Sequence, residues 1–183
     1  MDQEWTRSGP GRTHCWFSMK QSSSMHYIAS SLGTARCVGG GPGEPSSCVF
    51  CGYASQQRER SLVHQDECVV AFQSKHPAAS FHYLVIPREH VGTVRDLTKQ
   101  NIPLLRHMEQ VGLQLVHNLG GAGSKATLFG FHVPPYNSVD HLHMHCFVLP
   151  FLNPFKGIKY LPNSPWFCTM GQLLTKLDKS SDS

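Results

Sequence analysis

The chain contains 183 residues, enough for one packed domain and too few for a TIM barrel, which needs about 200 or more. Sixteen Lys and Arg residues against twelve Asp and Glu give a formal net charge of +4, and no stretch interleaves basic with aromatic residues. We therefore expect no dedicated nucleic-acid groove, whereas small anionic ligands fit this charge. No run of about 18 apolar residues is present, so we expect no membrane partner either.

Residues 1–46 are rich in Ser and Gly and end in a Gly- and Pro-rich stretch. This composition predicts a disordered tail. Abundant Ser and scarce acids between Lys20 and Gly43 are also typical of a targeting segment, although Asp2 and Glu4 argue against one. Because the start lacks the apolar segment of a secretory signal, we expect an intracellular protein, cytoplasmic or nuclear, with a plastid or peroxisome as the alternative.

From Cys48 onward the pattern becomes that of a folded domain. Cys48 and Cys51 fall in a short helix or turn. Residues 67–74 and 81–88 are rich in β-branched and aromatic residues, and a short connection joins them. These features predict two strands that form an antiparallel pair.

The second half of the domain alternates between a helix pattern and strand patterns. Apolar residues at intervals of three and four between Thr98 and Leu119 predict one amphipathic helix, with Pro103 in its first turn. Residues 127–133 and 141–149 read as two further strands on either side of a polar turn. The expected fold class is α+β, a mostly antiparallel sheet with one main helix on a face.

Three histidines at every second position, His141, His143 and His145, are the most informative feature of the chain. On an extended strand they share one face, while the residues between them point to the other. Such imidazoles can attack phosphorus, donate to an oxygen and hold each other's tautomers. Solvated histidines on an edge strand, or a metal cluster, are the alternatives. Ser138, three residues upstream in a polar turn, has a hydroxyl that could donate to a leaving-group or phosphate oxygen, although a plain turn serine looks the same.

A second group is the C-x-x-C pair of Cys48 and Cys51, which has the spacing for two zinc ligands. His90 and one histidine of the H-x-H-x-H run could complete a Cys₂His₂ site. A redox dithiol is the alternative, disfavoured because the strand-to-helix context of such motifs is missing. His82 falls on a predicted strand where a fourth imidazole could face the three, although a lone strand histidine is more often structural.

Five segments in fixed order resemble the histidine triad superfamily, in its Hint branch: C-V-F-C, A-F-x-x-x-x-P-A-A, H-Y-L-V-I-P-R-E-H, G-F-H-x-P-P and N-S-V-D-H-L-H-M-H. The match runs from about Cys48 to Leu149 and more weakly to about Leu177. It implies a five-stranded, mostly antiparallel sheet, one main helix and a short N-terminal helix. The domain would span 47–177, with 178–183 a disordered C-terminus.

The resemblance also implies roles for individual residues. His143 would be the nucleophile on the α-phosphorus of an adenylyl compound, and His145 would contact the phosphate. Ser138 matches the leaving-group serine and His82 the upstream fourth histidine. The purine pocket would involve Phe50, Phe72 and Leu84. A structural zinc ion would be held by Cys48, Cys51, His90 and His141.

Within that branch the segment from Gly130 to Pro150 is especially similar to plant proteins that act on adenosine 5′-phosphosulfate. The implied reaction gives AMP and sulfate, or ADP and sulfate when phosphate attacks the adenylyl-histidine intermediate. The alternatives are an adenosine phosphoramidase acting on AMP-NH₂ or AMP-lysine, and a zinc-stabilised nucleotide-binding or interaction module with little turnover. One departure stands out, since Ser74 occupies the position of the ribose-binding acid and offers a weaker contact than a carboxylate. A homodimer is also implied.

Overall fold

A single antiparallel sheet is the frame of the domain in a computed structural model, which describes residues 48–57, 60–119 and 126–180. The predicted tail and the Ser181–Ser183 end lie outside the described residues. The sheet order is β1-β2-β3-β5-β4-β6, and every neighbouring pair is antiparallel. The strands are β1 (Leu62–Gln65), β2 (Val69–Gln73), β3 (Ala79–Pro87), β4 (Thr127–His132), β5 (Met144–Phe151) and β6 (Phe167–Thr169).

The described part of the chain has six strands instead of the expected five, while the α+β class and the antiparallel arrangement are confirmed. The two strands that the local pattern does not reveal, β1 with four residues and β6 with three, lie at the edges of the sheet. Strands this short carry too little alternation to be recognised locally.

The helices are α1 (Val49–Ala54), α2 (Ile102–Leu119), α3 (Pro154–Ile158) and α4 (Met170–Lys179). The predicted main helix is α2, with Pro103 in its first turn as expected. A short 3-10 turn, Lys99–Asn101, precedes it, and the Asn101 side chain accepts a hydrogen bond from the backbone N–H of Thr98 at 2.9 Å. The sequence prediction missed α4, which packs against α2 and β4.

Alternation along β5 places core residues on one face of the sheet and a histidine on the other, which is called the chemical face. Met144, Cys146 and Val148 join the cluster that α2 and α4 cover, whereas Phe147 belongs to an aromatic cluster with Tyr160. His145, between Met144 and Cys146, therefore faces away from α2. The helices and the histidines thus lie on opposite faces of the sheet.

The predicted strand 141–149 is wrong at its start, because β5 begins only at Met144. His141 and His143 lie in the segment that leads into β5, where the backbone N–H of Leu142 donates to the carbonyl of Val91 at 2.7 Å. Val91 lies in the connection after β3 and not in a strand, so no sheet ladder forms there. Leu142 still packs in the α2 cluster, so the predicted alternation between core and chemical residues holds.

Candidate functional site

A cavity of about 670 Å³ opens on the sheet face opposite α2. This volume lies within the range of small-molecule sites, which is roughly 300–1,000 Å³. Its lining brings together seven residues that the sequence singled out, namely Phe50, Phe72, Ser74, Leu84, Ser138, His143 and His145. His82 lies in the layer behind His145, and His141 belongs to a separate cluster with the cysteines.

The proton of His145 is placed by a chain of two hydrogen bonds. The backbone N–H of Ala78 donates to Nδ1 of His82 at 3.1 Å, so the other nitrogen of His82 carries its proton. That nitrogen, Nε2, donates to Nδ1 of His145 at 2.9 Å. The proton of neutral His145 is therefore on Nε2, which is buried and has no hydrogen-bond partner among the described residues. His145 thus offers an N–H donor to a bound ligand.

His143 has the other tautomer. Its Nδ1–H donates to the backbone carbonyl of His141 at 2.7 Å, which leaves the lone pair on Nε2. The Phe50 ring lies edge-on to the imidazole, with 5.2 Å between ring centroids, and the side chain is 7% exposed. A nucleophilic nitrogen and a hydrogen-bond donor therefore line the same cavity, on residues two positions apart.

Burial keeps these imidazoles neutral. Desolvation, aided by the charges of His132 and Lys156, lowers the pKa of His82 to about 3. Burial is also the first cause that lowers the pKa of His143, with His132 adding to it and the bond to the His141 carbonyl opposing it. The pKa of His145 lies well below the ordinary value, because this side chain is desolvated and surrounded by other imidazoles. At neutral pH the site holds lone pairs and N–H donors without imidazolium charge.

His132 is a residue of the cavity that the sequence reasoning missed. Its ring centroid lies 4.9 Å from that of His145, and its Nδ1–H donates to the carbonyl of Trp166 at 3.3 Å. Burial first, and the charge of Lys159, lower its pKa. A signal was present, since alternation along β4 places Phe129 and Phe131 in the α2 cluster and turns His132 to the other face.

The residues that follow β5 also line the cavity, a placement that the local sequence pattern does not predict. Tyr160 is buried, with its ring centroid 5.2 Å from that of His145. Trp166, whose indole N–H donates to the carbonyl of Ile158 at 3.0 Å, closes the same side. The stretch from α3 to β6 is therefore a wall of the site rather than a surface connection.

Cations are the charged groups of this cavity. Arg60, Lys75 and Lys159 line it, and its described lining includes no Asp or Glu. A second cavity of about 450 Å³ shares His76, Lys159 and Tyr160 with the first and adds Lys156, again without a described carboxylate. Lys156 is held in place by donating from Nζ to the carbonyl of Pro77 at 2.8 Å. The arrangement favours an anionic ligand.

Four side chains beside the cavity could hold a metal ion, and they are the four expected from the sequence. The ligand atoms of Cys48, Cys51, His90 and His141 all lie within 4.8 Å of one another. Sγ of Cys51 lies 3.2 Å from Nδ1 of His90 and 3.5 Å from Nδ1 of His141. A tetrahedral zinc ion with bonds of about 2.0–2.3 Å sets its ligands about 3.3–3.8 Å apart, so the cluster has the right size.

The surroundings of this cluster also fit a metal. Nε2–H of His141 donates to the carbonyl of Pro87 at 3.0 Å, which turns the Nδ1 lone pair toward the thiols. Burial, followed by the neighbouring Cys48, raises the pKa of the Cys51 thiol to about 11, so a bound cation is what would let it ionise. The described residues thus form a Cys₂His₂ cluster that could bind a metal ion.

Comparisons with known proteins agree with the geometry. A family model described as scavenger mRNA decapping enzyme C-term binding matches residues 47–160. The bifunctional adenosine 5′-phosphosulfate phosphorylase/adenylylsulfatase HINT4 of Arabidopsis thaliana is 47% identical over 125 residues, which is 67% of this chain and 84% of the relative. The adenosine 5′-monophosphoramidase HINT3 of Xenopus tropicalis is 37% identical over 139 residues, 73% of this chain and 89% of the relative.

Among solved structures, a HIT family hydrolase from Clostridium thermocellum is similar with a TM-score of 0.51 and 28% identity, over 59% of this chain and 95% of that protein. A HIT family hydrolase from Legionella pneumophila has the same TM-score at 25% identity, over 60% of this chain and 99% of that protein. Sequence and fold therefore lead to the same family. No helix among the described residues is both long and apolar enough to cross a membrane.

Proposed function

Because this chain belongs to the histidine triad superfamily, whose members among its relatives act on adenine nucleotides, we propose that it cleaves adenosine 5′-phosphosulfate through an adenylyl-histidine intermediate. The observation that carries the proposal is the pair of tautomers in one cavity. His143 presents a lone pair, and His145 presents an N–H donor two residues away.

The reaction follows from this pair. Nε2 of His143 attacks the α-phosphorus, the P–N bond forms, and the bond to the sulfate oxygen breaks with its electron pair leaving on sulfate. The N–H of His145 binds a non-bridging phosphate oxygen as negative charge develops there. The carbonyl of His141 accepts the Nδ1–H of His143 and stabilises the positive charge on the adenylylated ring. Water then attacks the phosphorus, the P–N bond breaks with its electron pair returning to Nε2 of His143, and AMP and a proton released to solvent are formed. Attack by phosphate breaks the same P–N bond and gives ADP, and in both cases His143 returns to its neutral state.

The charge around the cavity supports an anionic leaving group. Sulfate leaves without needing a proton, and Lys159 of the main cavity and Lys156 of the second one can bind it. An attacking phosphate ion would be attracted in the same way. A protonated amine leaving group finds no described carboxylate in either lining. The relative with 47% identity is also named for this activity.

A phosphoramidase acting on AMP-NH₂ or AMP-lysine is the second candidate. It is favoured by the HINT3 relatives and by Ser138, whose hydroxyl lines the cavity and could donate a proton toward an amine. A zinc-stabilised binding module with little turnover is the third. The complete set of Ser138, His82, His143 and His145 around one cavity argues against it.

The rest of the proposal concerns the assembly. Phe50, Phe72 and Leu84 would hold the purine, and zinc at the Cys₂His₂ cluster would hold His141, whose carbonyl orients His143. We also propose a homodimer. Leu113 and Leu119 on α2 are 52% and 51% exposed, and such apolar area on the main helix fits a partner copy. Light scattering on the purified chain tests this point.

The test of the proposed function compares two substrates on the full-length protein with zinc preserved. Progress curves are recorded for adenosine 5′-phosphosulfate and for AMP-NH₂, for wild type and for His143→Ala. We expect faster AMP release from the sulfate compound and none from the variant, which should still bind AMP because the purine contacts are untouched. A wild type that releases AMP from neither compound contradicts the proposal, and a variant as active as wild type points to the binding module.

A further inference from the structure

The edge of the cavity around Ser74, called the ribose edge because the resemblance to the histidine triad superfamily would place the sugar of a bound nucleotide there, has an unusual charge for a nucleotide site. Ser74 lines the cavity directly after β2, and its backbone N–H donates to the carbonyl of His82 at 2.9 Å, which fixes its backbone beside β3. A ribose with two free hydroxyls is commonly held by a carboxylate, which accepts from them. The described lining contains no carboxylate, so a plain ribose finds only the weaker Ser74 hydroxyl.

Arg60 supplies a cation at the same edge. Its guanidinium carbon lies 5.1 Å from the ring centroid of Phe72 and 5.6 Å from that of Tyr53, so the guanidinium lies over these two rings. One of its N–H groups donates to the carbonyl of Gln73, the residue directly before Ser74. The guanidinium therefore extends from the rings of Tyr53 and Phe72 to the ribose edge. The remaining N–H groups of this planar group are suited to binding a phosphate.

Lys75 adds a second cation immediately after Ser74. Its side chain is exposed and lines the same cavity. Lys156 and Lys159 are a different group, because their charges act on His82 and His132 at the catalytic end of the cavity. The molecule thus has one group of cations near the histidines and another beside Ser74.

We propose that the ribose edge binds a phosphate carried on the 2′ or 3′ oxygen of the sugar, with Arg60 as its main partner and Lys75 as the second. The replacement of an acid by an Arg also distinguishes two kinds of dinucleotide site. An acid binds the free ribose hydroxyl in one kind, and an Arg accommodates a ribose phosphate in the other. The inference rests on the proposed function and narrows it. The preferred substrate class is adenylyl compounds, such as an adenylyl sulfate, that bear a further phosphate on the ribose.

Binding to the full chain is the first test, with AMP, adenosine 2′,5′-bisphosphate and adenosine 3′,5′-bisphosphate as ligands in calorimetry. One bisphosphate should bind about tenfold more tightly than AMP or better, because charged hydrogen bonds are added. Arg60→Met should remove this preference, whereas Lys179→Met, which deletes an exposed charge at the end of α4, should keep it. Ser74→Asp should reverse it in favour of AMP.

The inference is overturned if AMP binds at least as tightly as both bisphosphates. It is also overturned if Arg60→Met weakens the binding of all three ligands equally. Turnover separates it from the proposed function. Adenosine 5′-phosphosulfate and its 3′-phosphorylated form are compared as substrates. Cleavage of the first with no binding preference for a ribose phosphate refutes only the inference. A binding preference without cleavage of either compound refutes only the proposed reaction.

Discussion

His143 and His145 are two residues apart, and their surroundings give them opposite tautomers. The carbonyl of His141 takes the Nδ1 proton of His143, whereas Nε2–H of His82 forces the Nδ1 of His145 to accept. The nearest carbonyl and the nearest imidazole thus decide which nitrogen faces the cavity. These contacts leave a free lone pair on one imidazole and an N–H donor on the other, although the two side chains are identical.

The depressed pKa of His143 predicts the pH dependence of turnover. The attacking nitrogen must be unprotonated, and burial lowers the pKa of His143 from the ordinary 6.5. The acid limb of kcat/KM for adenosine 5′-phosphosulfate should therefore have its midpoint below pH 6.5, with a plateau above it. A midpoint at or above 6.5 would argue that His143 is solvated or is not the nucleophile.

This profile needs a stability control, because the same burial works against the fold in acid. His82 has a folded pKa of about 3 against an ordinary 6.5, so between these values the unfolded chain binds more protons than the folded one. The free energy of unfolding should fall as the pH drops through that window. Circular dichroism at each pH shows whether the loss of rate precedes the loss of structure.

The role of His82 as a positioning residue is tested by two substitutions. His82→Phe keeps the ring contact with Phe147, whose ring centroid lies 4.2 Å away, and removes the donor to His145. We expect kcat to fall about 10- to 100-fold, as for other outer-layer residues that orient a functional histidine, with KM little changed. His82→Gln can still donate and should recover part of the rate. Equal rates for the two variants would show that His82 only fills space.

At the residue scale, the sequence predicted which histidines lie close together but not which nitrogen of each one carries the proton. The period of two and the resemblance singled out His143, His145, Ser138 and His82, and the structure gathers them around one cavity. The sequence alone could not indicate the tautomers, since these depend on hydrogen bonds with the backbone groups of Ala78 and His141. His132 was missed because the alternation along β4 indicates which face of the sheet it lies on, but not that the other histidines lie beside it on that face.

At the scale of elements, α4 shows how a helix outside the recognised segments completes the domain. Met170, Leu173, Leu174 and Leu177 recur at intervals of three and four and are all buried. Thr169 and Gln172 cap the helix start through reciprocal hydrogen bonds. Both signals are present in the sequence, but the resemblance extends only weakly over this segment and implied no helix there.

Shortening a buried side chain of α4 should lower the free energy of unfolding. Leu174→Ala removes a side chain that is 3% exposed, and we expect the free energy of unfolding to fall by about 2–5 kcal/mol. Lys176→Ala, two residues on and exposed, should change it by less than about 0.5 kcal/mol. Urea denaturation of the two variants makes the comparison. Equal effects would mean that α4 does not contribute to the core.

At the scale of the whole molecule, the candidate metal cluster and the proposed nucleophile are joined through one residue. The side chain of His141 belongs to the Cys₂His₂ cluster, and its carbonyl accepts the proton of His143. The C-x-x-C spacing and the resemblance predicted the four ligands. The position of Arg60 beside Ser74 could not be predicted, because Arg60 contacts Gln73 only once β1 pairs with β2.

Zinc should therefore matter for both stability and rate. Elemental analysis of the full chain should find about one zinc ion per chain, and Cys51→Ser should lose it, with a lower Tm and a lower kcat. Cys168→Ser, a half-buried thiol outside the cluster, is the matched control and should keep the metal. A wild type that carries no zinc and whose Tm is unmoved by a chelator contradicts a structural metal.

The central claim is that His143 forms a covalent bond to the α-phosphorus of an adenylyl substrate. Intact-protein and peptide mass spectrometry after rapid mixing with adenosine 5′-phosphosulfate measures this directly. We expect an AMP adduct that is confined to the peptide containing His143 and is absent from His143→Ala. An adduct on another residue, or turnover with no adduct at the earliest times, would contradict it.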